Sequence, residues 1–369
     1  MTETTVDNLT GIRIDWEDLY RDLKDHRAIL ALGPEFYSSD GLSPKEKLYQ
    51  HLIKKPDHGI LHFYPNNGIF LFQSPKYKSY AQRDASEYYK TIEPEPEELP
   101  HIMDLPFRMI INTSPSQKLF KKYKERIGTC QFDYFSWNPH KKYQEISDPD
   151  RNTPLIYNLF GSTEHFESLV LDFEDIFDHL KSLLNNVNVP DTIRSVLNET
   201  DTFIFIGFHL QKMDTQLLFR YLNMKEHCFD DRKKNYTTRS FIDDSSESFF
   251  CKQFNIKYYG APVEFIREMH KSYFESIAKE DNYMIRQTSI KKLIYHYIEE
   301  DNIDRPLDIL TLYTIKNETE INDQLILIKS NYSRYNYLSN KRLERFDVLE
   351  IERTKIKARI LELLNNLPD

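Results

Sequence analysis

The chain has 369 residues, of which 40% are hydrophobic and 29% charged, and its formal net charge is -9. This length is sufficient for two domains with packed cores, and the hydrophobic content excludes wholesale disorder. The negative charge argues against a protein that binds nucleic acid nonspecifically.

Glycine and cysteine usage limits the cofactors and metals that the chain can bind. It has 9 glycines, which is few for a backbone that closes around phosphate groups. Cys130, Cys228 and Cys251 lie far apart and form no Cys-x-x-Cys pair, which excludes a structural zinc ribbon. No signal peptide is recognisable, and no apolar run is long enough to span a membrane. We therefore predict a cytoplasmic protein with reduced thiols and no metal, membrane or nucleic-acid partner.

The first elements predict the beginning of a nucleotide-binding fold. Apolar residues recur at helical spacing after Asp15, which is a suitable N-cap. The apolar run at 28–32 predicts a buried strand, and Gly33-Pro34-Glu35 follows it as a turn. A strand, a glycine turn and a helix form the first unit of a βαβ nucleotide-binding fold. Next come a helix at 40–54 that begins at Ser43-Pro44, a hairpin at 60–72 that turns at Asn67-Gly68, and a helix at 82–91.

Strands and helices continue to alternate as far as residue 278. The run at 202–206 is the clearest strand, because it is apolar throughout, as parallel strands covered on both faces are. Further predicted strands lie at 107–111, 131–137, 155–159, 238–242 and 256–259, and further helices end near Lys124, follow a capping box at Asp172, and lie at 213–223 and 263–278. This alternation predicts an α/β fold with a Rossmann-like, doubly wound parallel sheet.

The composition changes near Asp281, beyond which only helical periodicity occurs. It predicts four helices, which lie around 290–297, around 306–312, at 323–340 and at 347–364. Together they form a small all-α bundle in this prediction. We therefore predict two domains, an α/β domain at 1–280 and a helical domain at 285–369.

Four short blocks lie at the ends of predicted strands: Leu32-Gly33-Pro34-Glu35, residues 111–119, residues 155–162 with their continuation to Leu180, and residues 203–210. These blocks resemble segments of prokaryotic sirtuin-like domains, which handle NAD. The resemblance covers approximately residues 15–275 and implies a nucleotide pocket at the carboxyl ends of the strands. The residues that it places around this pocket are Gly33, Glu35, Thr113, Ser114, Gly161, Ser162, Gly207, His209 and Asp214.

The chain departs from this family where the family's chemistry resides. The family's catalytic histidine is replaced by Phe160, whose ring has no lone pair and cannot act as a general base. The family's asparagine and aspartate correspond to Ser114 and Ser116. In the glycine-rich turn, Pro34 removes an amide donor and Glu35 places a negative charge near the pyrophosphate position. We therefore predict a degenerate pocket without a catalytic residue. NAD or a related nucleotide is the cofactor that the resemblance suggests for it.

Alternative interpretations of these residues remain open at this point. Asn112 supplies the missing amide if the register shifts by two residues. His209 is the best-placed histidine for an enzyme that still hydrolyses NAD with Asn112 or Ser114. In the structural alternative, residues 114–116 cap the next helix and Glu35 interacts with a helix N-terminus.

The last helices are similar to a small effector-associated domain of bacterial conflict systems. The similarity rests on residues 323–343 and 348–364. It implies a homotypic adaptor that recruits a protein partner through residues 285–369, and the alternative is a bundle that packs on the first domain. The full hypothesis is a degenerate sirtuin-like scaffold, sensor or adaptor in anti-phage signalling, which forms homo-oligomers. The alternatives are a defence effector that hydrolyses NAD and a protein that binds a nucleotide signal without cleaving it.

Overall fold

The structure is a computed structural model, and it describes residues 14–93, 95–138, 141, 145–185, 187–223, 233–238, 254–285, 290–317 and 322–365. The chain divides into two compact units. The α/β unit comprises Met1–Leu119, Gln131–Arg151 and Leu155–Arg267. The helical unit comprises Phe120–Cys130, Asn152–Pro154 and Glu268–Asp369.

The strands of the described residues form one large sheet and one hairpin. They are β1 (Ala28–Leu32), β2 (Ile60–Tyr64), β3 (Ile69–Phe72), β4 (Met109–Asn112), β5 (Gln131–Tyr134), β6 (Leu155–Asn158), β7 (Thr202–Ile206), β8 (Lys234–Thr238) and β9 (Ile256–Tyr259). Seven of them form a parallel sheet in the order β5-β6-β4-β1-β7-β8-β9. The sheet confirms the predicted α/β, Rossmann-like fold class.

The winding of the sheet changes direction at β1. This strand pairs in parallel with β4 on one side and with β7 on the other. A crevice therefore opens between the segments that follow these three strands, which is where doubly wound sheets bind ligands. β1 and β7 are buried at every residue, as their apolar runs predict.

The helices that precede the C-terminal bundle are interspersed with these strands along the chain. They are α1 (Trp16–Lys24), α2 (Pro44–Leu52), α3 (Pro75–Thr91), α4 (Leu99–Met103), α5 (Lys118–Ile127), α6 (Phe173–Leu184), α7 (Asp191–Glu199), α8 (Met213–Asn223) and α9 (Pro262–Ile285). Asp15 caps α1 by accepting a hydrogen bond from an amide of its first turn at 3.1 Å. α2 and α6 begin with capping boxes, formed by Ser43 with Glu46 and by Asp172 with Asp175. Each cap stabilises its helix by about 1 kcal/mol.

Some elements differ from the sequence prediction. β8 spans Lys234–Thr238 and overlaps the predicted strand at 238–242 only at Thr238, and residues 239–242 lie outside the described residues. α3 begins at Pro75, seven residues before the predicted helix at 82–91. The sequence prediction did not include α4 or α7, although buried apolar residues recur along α7 at helical spacing.

Aromatic side chains fix the central strands against the helices. Phe203 and Phe205 of β7 belong to the same core as residues of α7 and α8. The rings of Phe205 and Phe219 meet edge to face, with their centroids 4.1 Å apart. Because this arrangement suits the charge distribution of two aromatic rings, it stabilises the position of the strand. The end of β7 is thereby held rigidly at the crevice.

The β2–β3 hairpin confirms the predicted turn at Asn67-Gly68. Gly68 has a φ of 65°, a left-handed conformation that glycine adopts without strain. Phe63 and Phe70 pack on α2 and α3 in a second hydrophobic core. This core anchors the hairpin beside the crevice.

The helical unit contains the four helices that the sequence predicts. They are α10 (Ile290–Glu299), α11 (Asp304–Asn317), α12 (Asn322–Asn340) and α13 (Phe346–Asn365). Their shared core includes Leu293, Ile294, Leu310, Ile328, Ile360 and Leu364. Within the described residues, none of the helices combines the length and the apolar character that crossing a membrane requires.

The turns that follow β1 and β7 pack with their backbones in direct contact. A Cβ atom at Gly33 would lie 2.2 Å from the carbonyl oxygen of Gly207. Gly207 has a φ of 76°, and a Cβ atom there would lie 2.3 Å from the amide nitrogen of Phe36. Both positions therefore require glycine.

We expect Gly33→Ala to lower the free energy of unfolding by about 3 kcal/mol, because the new methyl group overlaps backbone that cannot move aside. Gly41→Ala is the matched control, since a Cβ atom there has no neighbour within 4 Å. The substitution at Gly41 costs about 1 kcal/mol, because alanine is strained in the left-handed backbone conformation of this position. Urea denaturation of the two variants measures the difference. Equal losses would contradict the close contact between the turns.

Candidate functional site

The crevice beside β1 contains a cavity of about 120 Å³. That is several times the space that one ordered water requires. Of the predicted pocket residues, its walls contain Glu35, Thr113, Ser114 and His209, together with Phe160 at the family's base position. The walls also contain side chains that the sequence analysis did not single out, among them Tyr37, Lys45, Tyr89, Glu93 and Lys212.

The other predicted pocket residues are not among the wall residues of this cavity. Gly33 and Gly207 form the backbone contact between the two turns. Gly161 has a φ of 90° and packs closely on the segment that follows it. Ser162 is fully buried. The side chain of Asp214 lies outside the part of the chain that the structure describes.

The amides of the turn after β1 are committed to the protein's own carbonyls. The Gly33 amide donates to the carbonyl of Ile206, the last residue of β7, at 2.7 Å, and the Glu35 amide donates to the Gly207 carbonyl at 3.0 Å. The Phe36 amide donates to the Gly33 carbonyl at 3.2 Å, and Pro34 has no N–H group. A dinucleotide pyrophosphate is normally held by amides that point out of such a turn. The residues of this turn therefore do not fit that group.

Glu35 places a negative charge at the same turn. Its carboxylate accepts a hydrogen bond from the Ser38 hydroxyl at 2.7 Å and lies 3.1 Å from Nε2 of His209. Burial raises the pKa of Glu35, but the hydrogen bonds from His209 and Ser38 and the charge of Lys212 outweigh burial and lower the pKa. The carboxylate is therefore ionised at neutral pH and repels a phosphate group.

Phe160 packs against a buried histidine. Its ring stacks on that of His179, with the centroids 4.7 Å apart and the planes 23° from parallel. Phe135 meets the same imidazole edge to face at 4.8 Å. Burial lowers the pKa of His179 to about 3, so its ring is neutral. Neither of its ring nitrogens has a hydrogen-bond partner among the described residues.

Asn112 has no free hydrogen-bonding group to offer a substrate. It is 1% exposed. Its carbonyl oxygen accepts from the Tyr37 hydroxyl at 2.7 Å and from the Ser114 amide at 3.1 Å. Its amide nitrogen donates to the Ser114 carbonyl and to the Asn158 side chain, each at 2.9 Å. The side chain thus joins β4 to its neighbour β6 as a buried polar link.

The hydroxyl of Ser116 caps α5. It accepts a hydrogen bond from the Lys118 amide at 3.2 Å and donates to the Tyr89 carbonyl at 3.0 Å. Ser114 contributes by accepting from the Ser116 amide at 3.1 Å. These contacts support the capping interpretation of residues 114–116.

Glu93 is the functional candidate that sequence reasoning missed. It lies just after α3 and is 4% exposed, although it begins an acidic stretch that reads as a solvated surface. The Ser114 hydroxyl lies 2.8 Å from each of its carboxylate oxygens. Lys118 binds the Glu93 carbonyl instead of the carboxylate, at 2.6 Å. Burial raises the pKa of Glu93 to about 7, although the Ser114 hydroxyl and the charge of Lys118 oppose that shift.

Lys45 contributes a cation to the walls of the cavity. Its ammonium group donates to the Val170 carbonyl at 2.5 Å. Burial lowers the pKa of Lys45 to about 8, an effect that the charge of Asp175 opposes. The described residues contain no group of three or more His, Cys, Asp or Glu side chains that could hold a metal ion.

We expect Glu93→Gln to raise the free energy of unfolding at pH 8 by an amount on the order of 2 kcal/mol. The pKa of Glu93 is about 7 in the folded chain, above its ordinary value of 4.5. Its contribution to stability is therefore present at low pH and lost as the pH rises through 7. A neutral amide avoids that loss. Urea denaturation at pH 5 and at pH 8 measures both conditions.

The exposed Glu97 provides the control for this test. Glu97→Gln should change the stability by less than about 0.5 kcal/mol at either pH. A gain for Glu93→Gln that is as large at pH 5 as at pH 8 would show that ionisation is not the cause.

Comparison with known families agrees with the predicted architecture. Residues 117–259 match the family model described as a SIR2-like domain. Residues 289–368 match the model described as Effector-associated domain 11. No curated protein matches the chain. The chain therefore carries a SIR2-like domain followed by an effector-associated domain, as the sequence predicted.

Proposed function

We propose that this protein acts in bacterial anti-phage signalling, with a SIR2-like pocket that binds a ligand without cleaving NAD and an effector-associated domain that recruits a partner. The pairing of these two domains suggests a bacterial defence-system protein. The pocket geometry supports the absence of NAD cleavage, and the surface of the helical unit supports recruitment.

The packing of Phe160 is the observation that carries the first half of the proposal. NAD cleavage by the family's route needs a general base at this position, and a phenyl ring cannot accept a proton. The ring stacks on His179, which is itself fully buried behind it. His209 also lines the pocket, but it lies beside Glu35 at the turn after β1.

The remaining polar groups support the same conclusion. The amides of Gly33 and Glu35, which a pyrophosphate would need, already bind backbone carbonyls. The side chain of Asn112 is engaged on both its oxygen and its nitrogen. A ligand of this pocket is therefore recognised by other side chains than those that the family uses for NAD.

Exposed apolar side chains on the helical unit support partner recruitment. Leu343, Phe346 and Ile351 lie at the α12–α13 connection and the start of α13, and Phe346 is 78% exposed. Exposed apolar groups of this kind mark protein-binding surfaces, and a helical face suits another helical domain. Because the resemblance is to homotypic adaptors, self-association is part of the proposal.

We expect the purified protein to release no nicotinamide from NAD above the uncatalysed background, because the pocket lacks a general base and phosphate-binding amides. Chromatography of the reaction mixture measures the release, with the protein alone and with the protein in its assembled complex. Asn112→Ala and His209→Ala serve as matched variants, and all three proteins should give the same background. Release by the unmodified protein that either substitution abolishes would establish the alternative of an NAD-hydrolysing effector.

We expect the double variant Phe346→Asp, Ile351→Asp to weaken self-association of the full chain by about tenfold or more, because the charges disrupt an apolar contact. Analytical ultracentrifugation over a concentration series measures the association. Leu61→Asp is the control, since Leu61 is also exposed, at 62%, but lies on the hairpin of the α/β unit. Unchanged association of the double variant would refute this surface as the contact.

A further inference from the structure

We propose that the Glu93 side of the pocket binds a small organic cation, whose positively charged nitrogen pairs with the Glu93 carboxylate. This inference rests on the proposed ligand-binding role of the SIR2-like pocket and names the chemical class of the ligand. Three observations support the inference: the Glu93 carboxylate is buried, aromatic rings line the same cavity, and the nearby cations form no ion pair with this carboxylate among the described residues.

The carboxylate of Glu93 is buried without an ion pair. Among the described residues, no Lys, Arg or His nitrogen lies within 4.0 Å of it, although Glu93 is 4% exposed. The Ser114 hydroxyl is shared between its two oxygens, at 2.8 Å from each. The Ser116 side chain also contributes a hydrogen bond that lowers the pKa of Glu93, and two hydroxyls leave part of the carboxylate's acceptor capacity unused. A buried carboxylate normally has a cationic partner, and here the ligand can supply it.

The cations in or near the pocket form no ion pair with the Glu93 carboxylate among the described residues. Lys45 donates to the Val170 carbonyl at 2.5 Å. Lys212 lowers the pKa of Glu35, and it therefore acts at the other carboxylate of the pocket. Lys118 binds the carbonyl oxygen of Glu93 at 2.6 Å, so its ammonium group attracts the carboxylate without pairing with it.

Aromatic side chains in the same walls suit a cationic ligand. The rings of Tyr37, Tyr89 and Phe160 line the cavity together with Glu93. An aromatic face attracts an ammonium group by about 0.5–2 kcal/mol, more when water is excluded. Tyr37 is held in place through its hydroxyl, which donates to Asn112 at 2.7 Å. The charge of Glu93 and the aromatic rings of the walls thus both favour a cationic ligand.

The test compares choline with its neutral carbon isostere, in which a tert-butyl group replaces the trimethylammonium group. The two probes have nearly the same shape and differ in charge. Isothermal titration of the full chain at pH 8 should show that choline binds more tightly by about tenfold or more. Glu93→Gln should remove this preference. Glu93→Asp, which keeps the charge, should retain a part of it.

Glu97→Gln is the matched control, because Glu97 is an exposed glutamate that is not among the wall residues of the cavity. This variant should keep the full preference for choline. Circular dichroism melting curves establish that each variant is folded.

Three results would overturn the inference: no binding of either probe, equal binding of both, or an undiminished preference in Glu93→Gln. None of these bears on NAD release or self-association, which test the proposed function. A failure of the cation inference can therefore be told apart from a failure of the proposed function.

Discussion

The contact between the turns that follow β1 and β7 determines what this pocket can recognise. Gly33 and Gly207 allow the two backbones to meet, and the amides of the first turn bind carbonyls at the end of β7 and in the turn after it. These hydrogen bonds join the two segments at the switch point of the sheet. They engage the donors that a doubly wound fold ordinarily directs at a phosphate. The amides that stabilise this point of the fold are therefore not available to a pyrophosphate group.

Two carboxylates divide the pocket into chemically different sides. Glu35 is surrounded by the hydroxyl of Ser38, the imidazole of His209 and the nearby charge of Lys212, which keep it ionised. Serine hydroxyls hydrogen-bond to Glu93 and Lys118 binds its backbone carbonyl, so the burial of this carboxylate is only partly offset. The two glutamates therefore differ in their surroundings. Glu35 belongs to a cluster of polar partners, whereas Glu93 is a hydrogen-bond acceptor without a cationic partner among the described residues. Such imbalances mark ligand sites more often than structural positions.

The fold could be predicted from the sequence where local signals suffice. The runs at β1 and β7 are apolar throughout, Asp15 and Asp172 have capping chemistry, and Asn67-Gly68 specifies its turn. Residues 234–237 of β8 were not predicted as a strand, because Asn235 and Thr237 are polar and owe their burial to neighbouring strands. For the site, the sequence located Glu35, Ser114 and Phe160 at strand ends. It could not locate Glu93, because an acidic residue becomes a buried one only when the tertiary fold covers it.

The aromatic surroundings of Phe160 and His179 disfavour a general base at position 160. A histidine introduced at position 160 would lie flat against His179, whose pKa burial has already lowered to about 3. On that face the new imidazole would meet an uncharged ring, and two stacked rings do not hydrogen-bond to each other through their edges. A base needs a partner that orients it and stabilises its protonated form. A working base at position 160 would therefore also require such a partner, which the stacked ring of His179 does not provide.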